Sequence, residues 1–227
     1  NYVVDGSGFY AGKLVLKNDR LFVFGWIPTK AGNRDSGNID WAGNLVAHEL
    51  TADAQGQLNS ILPQELQKVI SENPGPETTL TSTKTLKTDT SFGPLQSALY
   101  PALPERGELS ATIDVPSAGM VMSFGLTDDR VSDAMLNVVF NKSKGKVYFF
   151  NAPLASIHQA NAESWVDIPI GEKIELRVLM QNSIAVFYIN NKVAFSTRMY
   201  SMQEKPWSIS LPQNDHFHAT LKIKEMI

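Results

Sequence analysis

The loop KAGNRDSGNIDW, Lys30 to Trp41, places Asn33, Asp35, Asn38 and Asp40 within eight positions. Side-chain oxygens at such density can coordinate calcium, but the loop lacks the closing bidentate Glu of a helix-loop-helix calcium site. His216 and His218 fall on one side of a strand, as a metal pair would, yet no third ligand accompanies them. The chain has no cysteine, which excludes disulfides, thiol catalysis and thiolate metal sites. No metal and no cofactor is assigned on these grounds. Asn141-Lys142-Ser143 is a glycosylation sequon that matters only in a eukaryotic secretory host. The densest run of positive charge, NKSKGK from Asn141 to Lys146, reads as a solvated polar turn.

These groups sit on a chain of 227 residues with a net charge of -3, long enough for one large domain or two small ones. That balance gives no electrostatic footprint for nucleic acid, which demands clustered Lys and Arg. No apolar run approaches the roughly 20 residues that span a bilayer, so no membrane partner is expected. Strand-like runs dominate, from YAGKLVL and RLFVFGW near the start to WSISL and HATLKIKEM near the end. The one convincing helix covers Pro63 to Glu72, with Leu66, Val69 and Ile70 on one face.

After that helix, SENPGPETTLTSTKTLKTDTSFGP is rich in Ser, Thr, Pro and Gly and reads as an extended connector. The fold class is therefore all-β, divided into residues 1–66, a linker and first sandwich strand over 67–108, and a two-sheet antiparallel sandwich over 109–227. Period-two alternation turns Phe124, Val139, Phe149, Leu176, Val178 and Phe187 inward. Within Lys173 to Tyr200, polar turns at Gln181-Asn182-Ser183 and Asn190-Asn191-Lys192 cut three strands, since Asn tolerates the positive φ of a tight hairpin.

The opening hairpin is apolar on both faces, with Phe9, Leu14, Leu16, Leu21 and Val23 on one and Tyr10, Val15, Phe22, Phe24 and Trp26 on the other. One face can be covered by the sandwich or the helix. The other needs a neighbour, from a missing N-terminal segment or a second chain.

In order along the chain, FYAG (Phe9 to Gly12), FGWIP (Phe24 to Pro28), WAGNLVAHEL (Trp41 to Leu50) and the Lys173 to Tyr200 meander resemble glycoside hydrolase family 32, the invertase, levanase and inulinase group. In that family a five-bladed propeller ends with Phe-Tyr-Ala, Gly-Trp and Pro-Arg-Glu-Leu strands, and a short linker leads to a lectin-like sandwich. The sandwich motifs are matched by Leu176-Arg177, Val186-Phe187, Asn190 and Arg198-Met199-Tyr200. The resemblance implies that residues 1–66 form the last propeller blade and that the sandwich is a lectin-like jelly roll. It favours a periplasmic or secreted protein.

Departures are specific. Ala47-His48-Glu49-Leu50 keeps only the Glu-Leu half of its motif, Gly8 stands where many members have an acidic residue, and Ala185 stands where a Glu is common. Family members are retaining enzymes that need two carboxyl groups about 5–5.5 Å apart. Their nucleophile comes from Asn-Asp-Pro, their general acid from Glu-Cys and a stabilising Asp from Arg-Asp-Pro. None of these is present: Asn18-Asp19 runs into Arg20, Asn214-Asp215 into His216, and Arg34-Asp35 into Ser36. No catalytic residue is assigned, and the chain by itself is expected to be inactive. The resemblance leaves Asp5, Tyr10, Trp26 and Trp41 as the last blade's share of a substrate cleft, aromatic rings for the apolar face of a sugar and a carboxylate for its hydroxyls. The Lys30 to Trp41 loop becomes a rim loop that shapes specificity. The leading reading is the C-terminal portion of a glycoside hydrolase acting on fructose-containing substrates, with carbohydrate as partner. The alternatives are a non-catalytic carbohydrate-binding module and a purely structural sandwich.

Overall fold

A computed structural model describes residues 3–6, 8–72, 75–90, 93–116, 118–154, 162–165, 173–212 and 218–226. The chain begins as an antiparallel meander, β1 (Tyr10–Lys17), β2 (Arg20–Lys30), β3 (Ile39–Ala52) and β4 (Leu58–Ile61), whose sheet order follows the sequence. Asn18 and Asp19 both take positive φ in the first turn, the geometry that matches strand twist in a two-residue hairpin. Helix α1 (Gln64–Glu72) follows directly after Pro63.

The remaining strands make two antiparallel sheets. Seven strands pair in one: β12 (Ala162–Trp165), β11 (Lys146–Phe150), β10 (Leu136–Asn141), β9 (Met120–Phe124), β16 (Trp207–Pro212), β7 (Gly93–Tyr100) and β6 (Lys84–Thr90), in that spatial order. Six pair in the other: β15 (Val193–Arg198), β14 (Ile184–Ile189), β13 (Lys173–Gln181), β8 (Arg106–Asp114), β17 (Ala219–Glu225) and β5 (Glu77–Thr79). The fold class is all-β, a four-stranded sheet followed by a two-sheet antiparallel sandwich.

Aromatic rings fill the space between the sandwich sheets. Phe149 and Phe195 stack at 3.9 Å, Tyr100 and Trp207 at 4.5 Å, and Phe124 meets the Phe187 ring edge-on at 5.5 Å. Of the residues expected inward, Phe124, Phe149, Leu176, Val178 and Phe187 are fully buried there. Val139 is not: Leu136, Val138 and Phe140 hold the core phase of β10, which turns Val139 to the opposite face. The run LNVVF is apolar at adjacent positions, so alternation alone did not fix its phase. The segment read as a connector also differs. Strands β5, β6 and β7 all precede residue 109, because the Thr-rich stretch supplies β-branched residues for β6 at the sheet edge.

β14 and β15 are buried along their whole length. Ala185, Phe187 and Ile189 point into the sandwich core, whereas Ile184, Val186 and Tyr188 join Ile27 and Val46 of the four-stranded sheet and Leu62 and Ile70 near α1. The sandwich thus carries the first sheet on its back. Of the apolar helix residues, only Ile70 is buried in that seam. Leu66 and Val69 instead line an apolar groove of about 410 Å3 with Leu45 and Met226.

Replacing Phe187 by Ala removes a ring packed against Phe124, Phe149 and Phe195, and should lower the unfolding free energy by about 3–5 kcal/mol. Leu45→Ala, at a side chain left in solvent, should stay within about 0.5 kcal/mol of the parent. Urea denaturation of both variants measures the contrast.

Candidate functional site

The first sheet has two chemically different faces. Directly opposed residues share a face in an antiparallel pair, so Val23↔His48, Gly25↔Val46 and Ile27↔Asn44 look toward the sandwich. Phe9 lies across Gly25 so closely that a Cβ there would stand 2.5 Å from its ring, which makes glycine a packing requirement.

His48 is fully buried at this seam. Its Nε2–H donates to Asp5 Oδ2 at 2.7 Å, since a carboxylate oxygen only accepts, and in the neutral ring Nδ1 accepts the Tyr188 hydroxyl hydrogen at 3.0 Å. The other Asp5 oxygen accepts from the backbone N–H groups of Ser196, at 2.5 Å, and Gly6. Burial, reinforced by the Asp5 charge, holds the Tyr188 phenol far above its ordinary value, so it stays protonated. An Asp-His-Tyr chain has the groups of a proton relay. With both the Asp5 and His48 side chains wholly out of solvent, it has no access to substrate and acts as a polar tie between the sheets.

A second tie is Arg198. Its guanidinium donates to the carbonyls of Pro28 at 2.7 Å and Ile27 at 2.9 Å, to Asn44 Oδ1 at 2.6 Å and to Ser183 Oγ at 2.7 Å. Burial pulls its pKa below the ordinary arginine value. The loop before β3 is fastened through Asp35, whose carboxylate accepts from the Tyr200 N–H at 2.5 Å and from the Ser201 N–H and hydroxyl. Asp40 accepts from the Trp41 N–H at 2.7 Å. The oxygen-rich loop therefore directs its carboxylates to protein donors. Among the described residues no group of three or more His, Cys, Asp or Glu could hold a metal ion. The His216 and His218 pairing lies partly outside the described residues.

On the far side of the sheet, Arg20 grips Glu49 with two hydrogen bonds, at 2.8 and 2.6 Å, and Glu65 of α1 with two more, at 2.6 and 3.1 Å. The Arg20 guanidinium holds the carboxyls of both glutamates below the usual range.

The same far face carries the aromatic residues. Tyr10 lies opposite Trp26 with ring centroids 5.6 Å apart, and Trp41 meets Trp26 edge-on at 6.2 Å. Tyr10 is 53% exposed, Trp41 76% and Leu45, beside them, 73%. Three of the four residues expected to face a cleft therefore form one open aromatic surface. Asp5 does not belong with them. A carboxylate enclosed by His48, Ser196 and Gly6 has no surface left for a sugar, which corrects its expected placement. His48, Tyr188, Arg198 and Lys30 went unassigned to any site by sequence. The available signals were the His in place of the family's Arg beside Glu49, and Arg198 within Arg-x-Tyr.

The sequence profile described as "GH32, BT1760-like, C-terminal domain" matches residues 59–217. Curated protein sequences give no match. Among solved structures, the chain superposes on sucrose-6-phosphate hydrolase from Lactobacillus gasseri with a TM-score of 0.64 and 16% identity, covering 99% of this chain and 42% of that one. For exo-inulinase from Aspergillus awamori the TM-score is 0.64 with 11% identity, covering 99% and 44%. For fructan 1-exohydrolase IIa from Cichorium intybus in complex with 1-kestose it is 0.59 with 16% identity, covering 98% and 49%. At these identities the likeness establishes the fold. The chain spans less than half the length of the structures it matches.

Two measurements probe the ties. Arg198→Met removes the guanidinium donors from the Ile27 and Pro28 carbonyls and from Asn44, and should cost on the order of 2–4 kcal/mol in urea denaturation. The Glu49 carboxyl is depressed in the folded chain, so between its folded and unfolded values only the unfolded chain holds the proton. Its contribution is complete above the ordinary glutamate value of 4.5 and is lost as pH falls through the lower folded value. The stability gap between the parent and Glu49→Gln should therefore be wide at pH 6 and shrink as pH falls below 4.5.

Proposed function

The chain belongs to the C-terminal domain family of glycoside hydrolase family 32, and on that premise we propose that it is the C-terminal portion of a hydrolase acting on fructose-containing glycosides of the sucrose or fructan type. Residues 1–66 act as the last blade of a propeller and the sandwich as its support. Bond cleavage belongs to carboxylates outside this chain.

The observation that carries the reading is the asymmetry of the first sheet. Behind β2 and β3 the sheet packs on β14 and β15, while β1 is exposed along its whole length and Tyr10, Leu14, Val15, Leu16, Trp41 and Leu45 stand in solvent. At about 25 cal/mol per Å2 of apolar surface, an open face of this kind costs several kcal/mol unless a partner covers it. A neighbouring blade supplies that cover, and the Tyr10, Trp26 and Trp41 rings, at one end of the sheet, lie where a sugar ring can stack on them. The carboxylates of this chain support its catalytic silence. Asp5, Asp35 and Glu49 are each engaged by protein donors, which leaves them unlike the pair of carboxyls flanking a glycosidic bond that glycoside hydrolysis requires. The exposed aromatic cluster also favours a second reading, a carbohydrate-binding module without chemistry of its own.

The purified 227-residue chain should release no fructose from sucrose, levan or inulin. Sugar release that fell on changing Asp35 or Asp40 to Asn would overturn the assignment of catalysis to other residues. Isothermal titration with fructo-oligosaccharides separates the two readings. Binding by the chain alone that is lost in Trp41→Ala favours the binding module, and its absence favours a blade whose aromatic end works only beside its neighbours.

A further inference from the structure

Between β2 and β15, at the seam of the first sheet and the sandwich, lies a polar cavity of about 250 Å3 bordered by Lys30, Asn38, Asn151, Thr197 and Arg198. Its chemistry is one-sided. The other partly buried arginines are matched by acids, Arg20 by Glu49 and Glu65 and Arg177 by Glu108. Arg198 is more deeply buried than either, and its acceptors are carbonyl, amide and hydroxyl oxygens. The Lys30 ammonium donates to the Asp35 backbone carbonyl at 3.1 Å. Among the described residues neither cation has a carboxylate within ion-pair distance, and no carboxylate borders the cavity.

The neutral groups add donors. Thr197 donates its hydroxyl hydrogen to Asn151 Oδ1 at 3.0 Å, which leaves the Asn151 amide N–H groups unpaired among the described residues. The Asn38 side chain has no hydrogen-bond partner there either. Burial depresses the Lys30 pKa, the Asp35 charge opposes that shift, and the Arg198 charge adds to it. A cavity that gathers two desolvated cations and spare amide donors has no carboxylate in its lining to balance them.

We propose that this cavity binds a small oxyanion of the phosphate class, free or carried on a single sugar unit. Guanidinium, ammonium and amide N–H groups are the donors that recognise such oxygens. The volume lies below the roughly 300–1,000 Å3 of sites that take larger ligands. The site is built wholly from this chain, at a seam whose two sides are already joined, so it requires no propeller partner and is independent of the open aromatic face.

The test is isothermal titration of the 227-residue chain, with parallel thermal melts, using inorganic phosphate, fructose 6-phosphate and fructose. Saturable binding of at least one phosphate with a raised melting temperature, and no response to fructose, is expected. Tighter binding of inorganic phosphate identifies the free ion, and tighter binding of fructose 6-phosphate identifies the sugar-borne group. Lys30→Met removes one cation, and Asn151→Asp keeps the oxygen that accepts from Thr197 while adding a repelling charge. Each should weaken binding about tenfold or more, which corresponds to about 1.4 kcal/mol. Circular dichroism checks that each variant is folded, and Asn151→Asp decides alone if Lys30→Met is not. Failure of both phosphates to bind saturably, or binding to a folded Lys30→Met protein equal to that of the parent, overturns the proposal.

Discussion

A guanidinium withdrawn from water needs acceptors wherever it comes to rest, and Arg198 finds them on another sheet. It leaves the end of β15, crosses the seam and donates to the Ile27 and Pro28 carbonyls and to Asn44. Without the first sheet docked, those donors would face an empty side of the sandwich. Without Arg198, carbonyls near the bulge between β2 and β3 would lose its donors. The relative position of the two sheets is thereby fixed at one point, and the other seam contacts are consistent with that position.

β14 and β15 make this docking obligatory. A strand in a simple sandwich alternates apolar and polar residues, one side to the core and one to water. Here IAVFYI is apolar throughout and VAFSTR is buried throughout, because a second layer lies behind them. The Asp5-His48-Tyr188 chain sits inside that layer, where its directional hydrogen bonds add register to otherwise non-directional apolar packing. Asp35 does the same at the rim, fastening the loop before β3 to the turn after β15.

Docking β2 and β3 on the sandwich defines the opposite face of those strands. Trp26 and its neighbours look outward because Gly25 and Ile27, one position away on either side, look inward. The polar seam and the aromatic surface are therefore two consequences of one strand alternation, a fastening on one side and a surface for recognition on the other.

Local pattern sufficed for much of this molecule. Hairpin turns at Asn182 and Asn190-Asn191 were legible because few residue types tolerate positive φ. The core positions Phe124, Phe149 and Phe187 were legible because period two aligns them. The family was legible because several weak motifs stood in the right order. Where adjacent positions were all apolar, as at Val138-Val139-Phe140, periodicity lost its phase and only packing against the facing sheet chose it. The Thr-rich stretch read as a connector, and β7 gave it a ladder that its composition did not announce. Asp5 shows the boundary most clearly. Sequence determined that a carboxylate was present, but its partners lie 43 and 191 positions away. Only the tertiary structure decided that it would be enclosed as a tie, because desolvation and hydrogen bonding depend on which distant residues share the same few ångströms.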